Sequence, residues 1–337
     1  MTKKTVLALT VSFLVFISGS KWAAAEEIDK NFHKSFPVKT GDALSLRFGD
    51  GHVTITPWDK DILDVTVRYR ADVDLVGVRL GGRDTFDVEF RQSGDTVHVI
   101  GKEPSGAALG FYNERVHEYF YEIHSPRTLR LDLEGDDGDL SIEDWAAEID
   151  LRFDDGNIRL KDIAGVRTVV RGEDGDVKIE KLSGDLEVNL DDGDLTLVAC
   201  DLQSGRVESE DGDVTVRQSG GTFDITTDDG NVVLEKAEAQ GLKISTADGD
   251  IEVDLLAGPK LDGELRTDDG NIQVSFEKGF PVSFQATADE ADYIRVELED
   301  MEDYREDSRS KSGSINGGTG RLKILTADGD VTIREKS

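Results

Sequence analysis

The sequence has almost no cysteine, little positive charge and, past its first residues, no long apolar run. Cys200 is the only cysteine, so no internal disulfide can brace the fold. Its neighbours in "LTLVACDL" are apolar, which fits a small buried side chain. A reactive thiol needs an electropositive setting, and this region is acidic. Lys and Arg number 39 against 71 Asp and Glu, a formal charge of −32. A surface of that sign repels nucleic acid and anionic membranes, since both are polyanions. It attracts divalent cations or basic partners, and it keeps an exported protein soluble. The five histidines (His33, His52, His98, His117 and His124) lie in the first third, with no HExxH or similar ligand spacing. Neither GxSxG nor a Walker A motif is present. The chain therefore lacks the common zinc, serine-hydrolase and nucleotide signatures.

What is present begins with a leader. Lys3 and Lys4 precede an apolar run, Thr5 to Ser18, and Ala23-Ala24-Ala25 forms a small-x-small site before Glu26. Residues 1–25 read as a cleaved signal peptide, and the run is short for a membrane span. The expected location is outside the cytoplasm, periplasmic or extracellular, with no membrane span in the mature chain.

The dominant feature is an acidic turn written at a fixed interval. "FDDGNIRL" (153–160) is followed by "GEDGDVKI" (172–179) and "LDDGDLTL" (190–197). The aligned glycines are Gly51, Gly138, Gly156, Gly175, Gly193, Gly212, Gly230, Gly249, Gly270 and Gly329. From Gly138 to Gly249 the steps alternate between 18 and 19; the step to Gly270 is 21 and the last is 59, close to three periods. Two and four residues after each Gly stand aliphatics, such as Val177 and Ile179 or Leu195 and Leu197. Five and seven residues before it the pattern returns, as in Leu186 and Val188 or Phe223 and Ile225. That is period-two alternation, so each repeat holds two short half-buried strands. A second turn carries a plainer glycine: Gly165, Gly184, Gly205, Gly221 and Gly241.

Two all-β architectures compete. Asp-Gly favours antiparallel hairpins, whereas a rigid period with the same chemistry at each aligned position favours stacked coils. A long meander would also expose edges or have to close on itself. The reading is a β-solenoid of 18–19-residue coils with two short strands per coil. Stacked at roughly 4.8 Å, the stretch after Gly138, about eleven periods, would make a rod of order 50 Å. An irregular N-terminal β cap and first coils are expected at 26–127. The solenoid follows at 128–337, interrupted by an acidic insertion at about 281–318. Within it, Asp289–Asp307 reads either as a surface insertion or, over "YIRVELEDMEDYRED", as a short helix.

The march of "DGDV-x-I" strands, the lead-in "FPVKTGDALSLRFGDGHVTITPWD" (36–59) and the ending "SGSINGGTGRLKILTADGDVTI" (312–333) resemble the bacterial putative-adhesin family of β-strand repeat proteins, a domain of unknown function. The resemblance covers nearly the whole mature chain. It implies a β-helix-like fold outside the cytoplasm and no established catalytic residues.

Does the acidic turn do chemistry? Stacking would place Asp155, Asp174, Asp192, Asp211, Asp229, Asp248 and Asp269 in a ladder. Hard cations want carboxylate oxygens in flexible turns, so Ca²⁺ binding in the manner of a β-roll is one reading. The tolerated residues favour another. The residue after Gly is Asp six times, Asn at Asn157, Asn231 and Asn271, and His52 once. Asn keeps the hydrogen bond and loses the charge, which points to turn geometry. β-Roll metal repeats are acidic at both turns; here one turn is. A polysaccharide-active β-helix enzyme is a third reading, weakened by minimal coils without cleft-building loops. No catalytic, cofactor or metal residues are assigned. The expected function is a non-catalytic exported adhesin-like or envelope scaffold protein, with a protein or glycan partner. Its outward strand residues (Lys178, Thr196, Thr215, Glu252, Gln273, Thr332) offer no aromatic ladder. Trp58, Trp145 and the Tyr119–Tyr121 pair read as core, and as the first place to look for a ligand surface.

Overall fold

The computed structural model describes residues 26–76, 86–102, 111–290 and 293–336; residues 1–25, expected to be a signal peptide, lie outside them. The described chain is all-β, with no α-helix among the described residues. Each repeat gives one strand to each of two sheets. Leu140–Trp145, Ile158–Ile163 and the start of Val177–Leu190 lie side by side in sheet A, with Ile158 opposite Leu140 and Val177. Arg130–Asp137, Ile149–Asp155 and Arg167–Gly172 do the same in sheet B, with Ile149 opposite Leu131 and Thr168. Pairing between successive repeats is parallel throughout this region. The Asp-Gly turns therefore do not close antiparallel hairpins. They pass the chain from sheet B to sheet A within one layer.

Parallel stacking explains the rigid period. Each strand's inward residues must lie over those of the previous repeat, so an insertion of one residue would turn the apolar row outward. The row Leu140, Ile158, Val177, Leu195 and Val214 is buried at 4% exposure or less, as is Leu131, Ile149, Thr168 and Leu186 in the facing sheet. Burying one such aliphatic is worth about 1.5–3 kcal/mol, and each layer repeats the gain.

The layers do not follow chain order at either end. The coil formed by Ala43–Phe48 and His52–Pro57 lies between two others. On one side stand Arg130–Asp137 and Leu140–Trp145. On the other stand Thr96–Lys102 and Phe111–Ser125. The far end repeats the device. Gly320–Leu325 and Val331–Glu335 lie against Asp262–Arg266 and Ile272–Phe276 on one side. Their other side is covered by Val282–Thr287 and Ile294–Glu297. The last coil in sequence is thus the second-to-last in space. The 59-residue step from Gly270 to Gly329 is one layer, not three. The stretch after Gly138 accordingly makes ten layers where eleven periods were expected.

The insertion also differs from the helical alternative. Ile294–Glu297 is a strand because Ile294 and Val296 alternate with polar residues and Ile294 buries on the sheet beside Val331. Glu302–Glu306 pairs antiparallel with Ser310–Ile315, which pairs antiparallel with Val282–Thr287.

Antiparallel strands close both sheets at the N-terminal end and sheet B at the other. Glu26–Pro37 and Ile62–Val76 cover sheet A, and Asp87–Ser93 covers sheet B. Lys30 and Lys34 reach inward from the outermost strand, donating Nζ to the carbonyls of Phe86 (3.1 Å) and Phe90 (3.5 Å). Inward charges on an edge strand discourage pairing with another chain. At the opposite end Lys311, on the strand next to the edge, lies 3.5 Å from Glu306 of the edge strand. An aromatic group of Phe32, Tyr69, Phe86 and Tyr119 fills the N-terminal cap, with ring centroids 4.8–5.8 Å apart along its contacts.

Candidate functional site: the acidic edge and the end groove

Stacking brings the Asp-Gly turns into one continuous edge. The glycines are required by close approach. From Gly138 onward, a Cβ on any aligned glycine would lie closer than 3.0 Å to the carbonyl oxygen of the glycine one layer before. A positive φ adds a second reason at Gly138, Gly156 and Gly175 (φ 112–127°), a region that L side chains avoid.

The residue after the glycine forms a hydrogen-bonded ladder between layers. The side-chain oxygen of each accepts from the backbone N–H of the next. Asp139 accepts from Asn157 (3.1 Å), Asn157 from Asp176 (3.4 Å), Asp176 from Asp194 (3.3 Å) and Asp194 from Asp213 (2.9 Å). The series continues through Asn231, Asp250, Asn271 and Asp330 at 2.7–3.0 Å. Asp and Asn interchange because both present Oδ1. The three Asn do more: Nδ2 of Asn157, Asn231 and Asn271 donates back to the preceding Asp at 3.0–3.1 Å. Each Asn therefore separates carboxylates that would otherwise repel by about 1 kcal/mol in water. His52 ends the row 3.7 Å from Asp139. Asp–Asn interchange alone points to local turn geometry. These residues instead tie one layer to the next.

The expected carboxylate ladder is present as a row but not as a cage. Asp155, Asp174, Asp192, Asp211, Asp229, Asp248 and Asp269 are all exposed. Among the described residues no cluster of three or more His, Cys, Asp or Glu is arranged to hold a metal ion. Charge crowding does register at Asp136. Burial, then the carboxylates of Asp154, Asp50, Asp137 and Glu134, push its pKa above the ordinary value.

The position three before the glycine has a pattern of its own, separate from the strand alternation. It reads Phe48, Gly135, Phe153 and Gly172 in the first layers, then Thr227, Thr246, Thr267 and Thr326 in the last. In the first layers a Phe ring occupies the place of the missing side chain: a Cβ on Gly135 would strike Phe48, and one on Gly172 would strike Phe153. At Thr246, Thr267 and Thr326 the hydroxyl accepts from the glycine N–H at 3.0–3.1 Å and donates to carbonyls of the layer before at 3.0–3.3 Å, while Thr227 donates to the Gly230 carbonyl of its own turn at 2.8 Å.

The second corner keeps part of the expected glycine turn, since a Cβ on Gly184 (φ 125°) or Gly221 (φ 117°) would strike a carbonyl of the layer before, and it adds a second device. Asp144, Asp162, Lys181, Ala199, Gln218 and Lys236 take the left-handed conformation, φ 49–55°, at the repeat period. Each precedes a side chain that turns inward; among these are Trp145, Ile163, Leu182 and Cys200, all buried. Four residue types (Asp, Lys, Ala and Gln) fill this one backbone role at six positions, which leaves no residue-type signature. Cys200 is buried as expected, and burial raises its thiol pKa.

Away from the edge, the faces are charge-balanced. On sheet B, Arg47 pairs with Asp132 and Glu134 (3.2 and 2.8 Å), and Arg171 with Asp150 and Glu187 (3.2 and 3.3 Å). Trp145, Tyr119 and Tyr121 are core, at 0–4% exposure. Trp58 is half-buried, under Lys60 at 4.1 Å and beside His124 at 5.4 Å. A further concavity lies at the C-terminal end, outside any pattern in the sequence. The hairpin Glu302–Ile315 borders a groove of about 620 Å³ with the outer side of sheet B, lined in part by Asp262, Gln285, Asp303, Arg305 and Lys323.

Parallel two-strand repeats tied along one acidic edge define a stacked β-repeat protein with capped ends. The chain belongs to the Toastrack DUF4097 family, whose model matches residues 42–255 and 183–334. It is similar to the solved structure of a putative adhesin from Parabacteroides distasonis, at 12% identity over 91% of this chain and 97% of that chain (TM-score 0.40). It is also similar to a putative cell adhesion protein from Clostridium sporogenes, at 11% over 91% and 100% (TM-score 0.22). A third likeness is to a putative lipid binding protein from Parabacteroides distasonis, at 13% over 90% and 96% (TM-score 0.33). No curated protein matches. No helix among the described residues is long and apolar enough to cross a membrane.

Proposed function

We propose that the chain is an exported, non-catalytic β-solenoid that acts as an adhesin-like or envelope interaction protein. The observation that carries this reading is the stacking itself. Parallel ladders in both sheets present long faces whose charges are paired, and capped ends prevent growth by edge pairing. Such a body displays surfaces; it does not enclose a reaction. The 26–127 segment is the N-terminal cap with the first coils, 128–337 the stacked body, and 1–25 an export signal. Periplasm and cell exterior both fit. The acidic edge is a structural seam: the Oδ1 atoms after each glycine are engaged with amides of the next layer, and the Asp row before the glycines, exposed and without a three-ligand cluster among the described residues, is a poor Ca²⁺ cage.

The test uses the chain from Glu26 onward, applied to envelope fractions and to intact cells of its source, with and without calcium. Saturable retention in both conditions is expected. Turnover of a polysaccharide library would overturn the non-catalytic reading. A rise in stability with Ca²⁺ and not Mg²⁺ would restore the metal reading.

A further inference from the structure

The hairpin Glu302–Ile315 departs from the repeat. In stacked-repeat proteins, insertions gather on one face, often the binding face. Here the inserted hairpin borders the 620 Å³ groove with the outer side of sheet B, a volume typical of small-ligand sites. Its lining differs from the rest of the molecule. The chain as a whole carries 71 acids against 39 bases, yet the groove sets Asp262, Glu264 and Asp303 against Arg305, Arg321 and Lys323. Two of these acids are already neutralised within it: Arg321 lies 3.3 Å from Asp262, and Lys323 3.5 Å from Glu264. Between them the floor offers neutral donors and acceptors, Ser283, Gln285, Ser312 and Ser314.

We infer that this groove binds a neutral saccharide. A charged ligand would find no net field, and an apolar one would desolvate ion pairs without replacing their water. A polyhydroxylated, uncharged ligand matches closely spaced hydroxyl, amide, carboxylate and guanidinium groups, each able to bond a sugar hydroxyl. Asp303 and Arg305 project from the exposed strand Glu302–Glu306. They make no ion pair with each other or with another described residue, so their hydrogen-bonding capacity is available to the ligand.

The inference rests on the adhesin-like reading above, and the experiment separates the two. The chain from Glu26 onward is applied to an array of neutral and acidic oligosaccharides, alongside Arg305→Ala, Gln285→Ala and, as a distant control, Lys178→Ala. A neutral oligosaccharide is expected to bind the parent protein. Affinity should fall about tenfold in each groove variant, the scale of one lost hydrogen bond to a charged or amide group, and stay unchanged in Lys178→Ala. Thermal unfolding of all variants should coincide, since both groove side chains are exposed. Binding only to acidic glycans, or neutral binding indifferent to both groove variants, would overturn the groove assignment. If the array is silent while envelope retention persists, the saccharide inference fails and the interaction reading stands. If retention also fails, both fall.

Discussion

The first layers and the last solve the same turn with different chemistry. Around Gly138 to Gly175 the chain turns through glycines at positive φ, and the space three residues earlier is filled by Phe48 and Phe153 lying over Gly135 and Gly172. From Thr227 onward a Thr hydroxyl fills that space, and from Thr246 it bonds both its own turn and the layer before. One end is sealed by apolar packing and the other by hydrogen bonds. The Oδ1 ladder and the glycine close approach run through both. What is common to all layers is therefore what stacking demands; what differs is only how the corner is filled.

The largest effect should come from the shared glycines. Gly249→Ala drives a Cβ into the backbone of the previous layer, at about 3 kcal/mol. Gly175→Ala adds the strain of φ +112°, for about 4 kcal/mol in all. Urea unfolding of the two variants checks the order; equal losses would mean that the two turn types are not distinct. Next comes the aromatic pair. Gly172→Ala alone should cost about 3 kcal/mol, but under 1 kcal/mol once Phe153→Ala has removed the ring, a coupling of about 2 kcal/mol in a double-mutant cycle. Additive values would show that the ring does not occupy the glycine's place. At the other end, Thr246→Val should cost about 1–2 kcal/mol, because three backbone bonds lose their hydroxyl. Leu190→Val, at the corresponding apolar position, should cost less than that.

Smaller again is the effect on the ladder. Asp176, Asp194 and Asp213 are its longest run without Asn. Asp194→Asn keeps Oδ1 for Asp213 and adds a donor toward Asp176, so it should stabilise by about 0.5 kcal/mol at low ionic strength and less in salt. Asp194→Ala should destabilise at every ionic strength; a gain there would make charge relief the whole story. The smallest is a pH effect. The pKa of Asp136 is raised in the fold above its ordinary 3.8, so its contribution to stability is complete below that value and is lost as pH rises through the folded value. Asp136→Asn should therefore stabilise at neutral pH and gain nothing below about pH 3.8. A gain unchanged at acid pH would assign it to something other than ionisation.

Much of this was legible in the residues. Alternation at Val177 and Ile179 or Leu186 and Val188 marked inward strands because a half-buried strand has a period of two. The fixed interval marked stacking because a slipped layer would turn its apolar row to solvent. The Asp–Asn interchange at Asn157 marked a hydrogen bond rather than a charge. Its partner was not legible, since the acceptor's donor lies a full layer away at Asp176. Nor was the second corner, because left-handed φ at Asp162, Lys181 and Ala199 is a backbone state that tertiary packing imposes on residues with no common side chain.

The sequence by itself determined the all-β repeat, its period and the inward rows, since these follow from local alternation and from turns that only glycine fits. The tertiary structure alone decided the layer order. The coil at Gly320–Glu335 enters between two earlier layers because its inward residues match either neighbour equally well. A repeat that is compatible with every layer cannot state, in its own residues, which layer it joins; the cap on the outer coil settles it. The end groove follows from the same choice, since it exists only where the hairpin that caps the outer coil meets the face of the inserted one.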